Sequence, residues 1–405
     1  MRRLEVNEDF FATLGSVAPL SLSQKIVSLP HQNQTVMEKR YIISGGGTGG
    51  HIFPALAIAN KIKAENPDAK ILFIGASDKM EMRRVPESGY PIEGLEIYGI
   101  HREKSLDGLI CNLRLPVVML QAMRKAKKIM REFQPDLAIG VGGFASGPAL
   151  KAASQLGIPT LLQEQNSYPG VTNKMLAKNA KAICVAYDGL DRFFPPEKII
   201  KTGNPIRKEI LELERKKPEA YQYFNFTPDK KTVLVVGGSL GARTFNQTMS
   251  AHLDEFRKAD LQLLWQTGEQ FYKNIDPKLL KQQDEHIRIV PFIKNMNDAY
   301  SMADVIVSRA GALALAELAI VGAPTILVPF PYAAEDHQTF NARALSTKDA
   351  ALLITDKEAP EKLVPTLMQL VSDTHRMQTL GGNIKRFALP NAIDLIYEEV
   401  VKIVG

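Results

Sequence analysis

The sequence predicts an α/β protein with two doubly wound parallel sheets, and two observations carry that prediction. From residue 41 onward, short β-rich apolar runs alternate with helical patterns, as parallel strands covered by helices do. The alternation then restarts. YIISGGGTGGHIFPALA at 41–57 and VLVVGGSLGARTFN at 233–246 each read as strand, glycine loop and helix start. Two such openings imply two domains, each with a glycine loop at the carboxyl ends of its strands, where open α/β sheets bind ligands. The natural site is the cleft between the domains.

In the first half, strands are expected at 41–43, 71–74, 137–141, 160–162, 182–186 and 199–201. The second series is 232–236, 261–265, 287–290, 305–307, 325–328 and 351–354. The charged stretch 209–219 (EILELERKKPE) separates them, which gives an N-terminal domain of 37–208, a linker region of 209–220 and a C-terminal domain of 221–382. Ile393, Ile396, Val400 and Ile403 or Val404 recur at helical spacing, so 383–405 is expected to close the chain with an amphipathic helix that packs back on the first domain. Residues 1–36 carry acids at Glu5, Glu8 and Asp9 and lack the continuous apolar run of a signal peptide. They are expected to be a disordered extension, with Met37 a candidate start of the folded protein.

Composition narrows the class of function. At 405 residues the chain has room for two or three cores, and 45% hydrophobic with 23% charged residues describes a soluble globular protein. No apolar run reaches the ~18 residues that argue a membrane span. Fifty basic against 44 acidic residues leave a net +6, which suits anionic small molecules or an anionic membrane surface better than dedicated nucleic-acid binding. Cys111 and Cys184 have neither metal-type nor disulfide-framework spacing, which points to a reducing compartment. The chain has no D-x-D pair and no clustered His/Cys/carboxylate motif, so neither a metal nor another cofactor is expected.

Gly45, Gly47 and Gly50 fit G-x-G-x-x-G, a spacing that lets backbone N–H groups approach a phosphate at a helix N-terminus. The same spacing also makes a plain tight turn. A dinucleotide site wants an acid at the end of the second strand, but strand 70–74 runs into Gly75, Ala76 and Ser77 before Asp78, which disfavours nicotinamide. Pro54 is placed to be the first residue of the next helix, with the His51 imidazole at the mouth of the loop. GGFASGP (142–148), QEQNSYPGVTN (163–173) and TGNPIR (202–207) follow later strands. Singly these are turns; converging on one crevice they suit a polar, phosphate-bearing ligand.

GGTGGHIFPALA together with QEQN, TGNPIR, GGSLGAR, SRAGALALAE (308–317) and DHQTFNA (336–342) resembles the MurG family from about Met37 to the C-terminus. That family consists of bacterial glycosyltransferases that add N-acetylglucosamine, from its UDP derivative, to the lipid-linked muramoyl-pentapeptide of peptidoglycan synthesis. The resemblance implies the B-type glycosyltransferase fold, two Rossmann-like domains facing across a cleft. It also implies that Ser239 and Arg243 meet the diphosphate, Glu317 the ribose hydroxyls and Ile293 the uracil. The helix start at Ala312, Leu313, Ala314, Leu315 and Ala316 would turn its N–H groups to the diphosphate, Gln338 and Asn341 would read the sugar, and Arg309 would serve the same side. Thr48, Gly49, Gly50, Asn166 and Arg207 would complete the UDP-sugar site. Gly45, Gly46, Gly47, Gly143 and Ser146 would hold the acceptor diphosphate. His51 would be the base that takes a proton from the acceptor 4-hydroxyl in an inverting transfer, because an imidazole titrates near neutral pH.

Each role has a plainer alternative, a solvated charge for Glu317 and a packed neutral imidazole for His51. One departure stands out: many family members have histidine where this chain has Gln163, which removes any proton relay through that position. Leu109, Ile110, Leu113, Leu115, Val117 and Val118 lie beside Arg114, Arg124, Lys125, Lys127, Lys128 and Arg131. That pattern fits peripheral contact with the anionic cytoplasmic face of the cell membrane, or a core helix with a solvated basic face. Rival activities are another UDP-sugar-dependent lipid glycosyltransferase, a UDP-N-acetylglucosamine epimerase, and a non-catalytic nucleotide-sugar-binding subunit of a membrane complex.

Overall fold

The computed structural model describes residues 38–99, 106–238 and 241–405, and only the backbone of 106–112. The expectations for residues 1–36 and Ser239, and for the side chains of Leu109 and Ile110, lie outside the described residues. Residues 38–405 form one compact unit.

The first sheet contains β1 (Arg40–Ser44), β2 (Lys70–Ala76), β3 (Ile92–Leu95), β4 (Leu137–Gly140), β5 (Thr160–Glu164), β6 (Ala182–Val185) and β7 (Ile199–Lys201). Its order is β3-β2-β1-β4-β5-β6-β7, parallel throughout. The second contains β8 (Thr232–Val236), β9 (Gln262–Gln266), β10 (Ile287–Val290), β11 (Val305–Ser308), β12 (Thr325–Leu327) and β13 (Leu352–Leu353), again parallel, in the order β10-β9-β8-β11-β12-β13. Both orders reverse direction beside the first strand, so each sheet opens a crevice at the carboxyl ends of β1 and β4, or of β8 and β11. All twelve expected strands are present to within two residues; β3 is the addition.

Side-chain alternation builds the layers. Ile42 points toward Ala126, Met130 and Leu150, whereas Tyr41 and Ile43 point toward Ile52, Ile58 and Ile62. Burial on both faces explains why these strands read as unbroken apolar runs. Ile396 and Val400 of the last helix, Ala392–Val404, join the second of these layers, and Lys61 pairs with Asp394 at 2.7 Å. The segment between the sheets is packed: short helices Lys208–Leu211 and Pro218–Phe224 bury Ile210, Ala220 and Tyr221 in the second domain's core.

The helix after β1 is Gly49–Glu65, with Thr48 in an extended N-cap conformation. Pro54 is therefore inside the helix and not its first residue. The Thr48 carbonyl accepts the N–H groups of both His51 and Ile52 at 3.1 Å, so the helix is already closed before the proline. His51 consequently lies in the first helical turn. Among the described residues no helix is long and apolar enough to cross a membrane.

Candidate active site

Three segments meet at the first glycine loop. A Cβ on Gly143, whose φ is +88°, would lie 2.4 Å from the Gly46 carbonyl oxygen, so the loop after β4 touches the loop after β1 backbone to backbone. Gly142 has φ +95°, and a Cβ there would lie 2.9 Å from His51 Nε2. The missing side chains make room for the imidazole. Ser146 is fully buried and donates to the carbonyls of Ser44 (2.6 Å) and Gly142 (2.9 Å), clipping β1 to the second loop.

His51 is half-buried, with Nδ1 3.0 Å from the Gly46 carbonyl. A carbonyl oxygen only accepts, so Nδ1 carries the proton and Nε2 keeps a free lone pair. Burial pulls the imidazole pKa from 6.5 down to about 4, with the Gly46 carbonyl opposing and His337 reinforcing the shift. The expectation of titration near neutrality is thereby corrected: desolvation keeps this ring neutral well into the acid range.

On the other side of the cleft, Arg243 heads the helix Arg243–Ala251, exposed and without an ion-pair or hydrogen-bond partner among the described residues. The helix Ala312–Val321 starts at the expected residue, after a Gly311 N-cap, so its first N–H groups emerge at the carboxyl end of β11. Glu317 lies further along that helix. Its carboxylate accepts from Arg207 Nε at 2.8 Å and from the Tyr300 hydroxyl at 3.2 Å. Arg309 is committed elsewhere, to Asp356 at 2.5 Å and to the carbonyls of Val328 and Pro329, with its guanidinium over the Phe245 ring. The Ile293 N–H donates to Gln266 Oε1 at 3.0 Å, while Gln266 Nε2 donates to the Gly238 carbonyl at 2.9 Å.

The two domains are joined across the cleft by amides. Asn341 is fully buried; its Oδ1 accepts from the N–H (2.9 Å) and hydroxyl (3.1 Å) of Ser167, and its Nδ2 donates to Asn166 Oδ1 at 3.1 Å. Tyr168 stacks on Phe340 with ring centroids 4.7 Å apart. Gln338 Oε1 accepts from Ala310 and Phe330 N–H groups. Gln163 is buried and donates to Asn204, whose amide in turn donates to the Gln165 carbonyl. The loop bearing Asn166 is shaped by buried Glu164, which accepts from Asn166 N and Nδ2, Gly170 N and Asn173 Nδ2. Burial raises the Glu164 pKa against the pull of those donors.

Of the expected residues, Asn166 meets Asn341 and Arg207 meets Glu317 across the domain boundary, whereas Arg309 is tied to Asp356 and Ser146 is buried between β1 and the loop after β4. Sequence reasoning missed Glu81, Glu164, Gln266 and Tyr300. Glu164 had a signal, since it stands inside the QEQN loop; the others are set by partners distant in sequence. Among the described residues no group of three or more His, Cys, Asp or Glu side chains is placed to hold a metal ion.

The long helix Leu106–Phe133 exposes Leu113 (72%), Val117 and Leu120 at i, i+4 and i+7. Arg114, Arg124, Lys125, Lys128 and Arg131 are exposed on the same helix. The helix Val171–Leu176, which like the long helix packs on Ser146–Gln155, exposes Val171 and Met175.

Comparison with known proteins agrees with this layout. Residues 41–185 match the glycosyltransferase family 28 N-terminal domain and 232–396 its C-terminal domain. A Parabacteroides distasonis protein is 51% identical over 365 residues, covering 90% of this chain and 98% of that protein; a Cytophaga hutchinsonii protein is 52% identical over 366 residues, covering 90% and 97%. Both are named UDP-N-acetylglucosamine–N-acetylmuramyl-(pentapeptide) pyrophosphoryl-undecaprenol N-acetylglucosamine transferase. The crystal structure of Acinetobacter baumannii MurG superposes with a TM-score of 0.73 at 29% identity, covering 90% of this chain and 99% of that one. The two-sheet architecture, the paired glycine loops and these matches together make the chain a member of glycosyltransferase family 28, within its MurG branch.

Proposed function

We infer that the chain transfers N-acetylglucosamine from UDP-N-acetylglucosamine to the 4-hydroxyl of undecaprenyl-diphosphate-N-acetylmuramoyl-pentapeptide, inverting the anomeric carbon. The observation that carries this reading is the identity of about half, over nearly the full length, to relatives named for that transfer.

In this reading the uridine diphosphate lies on the second domain. Arg243 and the N-terminus of helix 312–321 face the diphosphate, where helix dipoles and a guanidinium stabilise the charge that develops on the leaving group. Glu317 accepts from the ribose hydroxyls, which share it with Arg207 and Tyr300. Gln338, with its Oε1 already held by two backbone N–H groups, turns its Nε2 to the sugar. Asn341 and Asn166 hold the domains in register. The acceptor diphosphate lies at the start of helix 49–65. The acceptor oxygen then bonds to the anomeric carbon, the bond to the UDP oxygen breaks with its electron pair, and the acceptor proton goes to His51 Nε2. The acceptor's lipid requires a membrane, and the exposed Leu113, Val117, Val171 and Met175, edged by cations, supply a peripheral seat on its cytoplasmic face.

The test is one assay with the purified chain, UDP-N-acetylglucosamine and a lipid-diphosphate-muramoyl acceptor. UDP release that depends on the acceptor, and a product of opposite anomeric configuration to the donor, is expected. UDP release without acceptor, or an epimerised donor, contradicts the reading.

A further inference from the structure

We propose that Glu81 is a positioning residue for the base: its carboxylate fixes the Gly46–Gly47 peptide, and that peptide fixes the tautomer and orientation of His51. The inference rests on the reading of His51 as the base. Glu81 opens the short helix Glu81–Glu87 after β2 and is 1% exposed, far more buried than a glutamate normally is. Oε2 accepts the Gly47 N–H at 2.9 Å and Oε1 the Ala76 N–H at 3.0 Å. Two glycines make room for this side chain. A Cβ on Gly46 would lie 2.1 Å from Glu81 Oε1, and one on Gly75 would lie 2.6 Å from Glu81 Cγ.

The Gly47 N–H and the Gly46 carbonyl are the two ends of one peptide unit. Glu81 holds the first, and the second accepts the Nδ1 proton of His51 at 3.0 Å. A carboxylate therefore reaches the imidazole through an interposed amide. It does what a carboxylate bonded directly to histidine does in hydrolytic triads, keeping the proton on Nδ1 and the lone pair on Nε2. The lock matters because Gly47 has φ +84° and open space where a Cβ would stand, so packing against Gly143 restrains this peptide at its Gly46 end while at its Gly47 end the hold is the bond to Glu81. A turned peptide would present N–H, not C=O, to Nδ1, and the proton would move to Nε2, abolishing the base. The Gly47 N–H is also spoken for, so it is not available to an acceptor phosphate.

Glu81→Gln is the informative variant, since the Gly47 and Ala76 N–H groups meet opposite carboxylate oxygens and an amide turns one of these into a donor. Turnover, the Michaelis constant for UDP-N-acetylglucosamine, and the His51 tautomer read from imidazole nitrogen-15 shifts are measured together. Expected are turnover lowered by ~10-fold or more, a donor constant within about twofold of wild type, and loss of the uniform Nδ1–H tautomer. Glu81→Asp, which keeps the charge but shortens the reach, should recover part of the rate. Retention of the Nδ1–H tautomer in Glu81→Gln overturns the proposal whatever His51 does. A changed tautomer with unaltered turnover instead removes His51 as base, and the catalytic role of Glu81 with it. Should the variant not fold, hydrogen exchange of the Gly47 amide in the wild-type protein decides: slow exchange supports the carboxylate lock, and exchange at the rate of an open loop overturns it.

Discussion

The two glycine loops open their domains in the same topological place yet are held in different ways. The first, after β1, is closed upon itself. Its Gly47 N–H is taken by Glu81, its Gly46 carbonyl holds an imidazole, and its partner loop presses backbone against backbone at Gly143. The second, after β8, leaves an exposed arginine at the head of its helix and uses Gln266 to tie the Gly238 carbonyl to the Ile293 N–H. In the proposed reading, the loop that keeps one proton on one nitrogen is held by a carboxylate and close backbone packing, and the loop that faces the donor diphosphate keeps its cation free. A shared glycine motif therefore says where a ligand sits and little about what is done to it.

The largest effect is expected of His51→Ala. It should lower turnover by ~100-fold or more, with UDP binding and thermal stability near wild type; proportionate losses of all three would make His51 a packing residue. On the nucleotide side, Glu317→Ala should raise the Michaelis constant for the UDP-sugar at least tenfold while sparing that for the acceptor, since each charge-assisted hydrogen bond contributes about 1.5–3 kcal/mol. Unaltered donor binding by calorimetry would remove the ribose assignment. Arg309→Ala should act mainly on stability, by about 3 kcal/mol in chemical denaturation, because it leaves the half-buried Asp356 without its cation. A weaker donor affinity at unchanged stability would instead return Arg309 to the diphosphate. The smallest effect on chemistry is expected of Leu113→Asp with Val117→Asp. Binding to anionic vesicles should fall, while turnover of a short-chain, water-soluble acceptor stays as in wild type; equal vesicle binding would move the membrane seat elsewhere.

The sheets were legible because parallel strands are buried on both faces and so appear as continuous apolar runs. β3 escaped because Ile92–Leu95, at a sheet edge, carries a glutamate and a glycine and has no such run. The helix after β1 was placed late because proline commonly opens helices, whereas here a threonine carbonyl and two glycines open it first. His51, Glu317 and the helix start at Ala312 were visible in local motifs. Glu81 was not, since DKMEMRR reads as a solvated charged turn and only the β1–β2 pairing brings it beneath the glycine loop. The same holds for Arg309, whose pairing with Asp356 depends on tertiary packing alone.

Whether a neutral imidazole acts as base in the first loop is decided by pH–rate profiles of the wild-type protein and His51→Ala at saturating donor. The folded imidazole titrates at about 4 against 6.5 when unfolded, so between those values the unfolded chain binds more protons. Any stability linked to His51 is thus complete above about 6.5 and lost as pH falls toward 4, and the rate must be read where the protein stays folded. The base must be unprotonated to act. The wild-type rate is expected to hold from neutrality into the acid range and to fall only toward about 4, with that acid limb missing from the residual activity of His51→Ala. An acid limb that persists unchanged in the variant would assign the base to another residue.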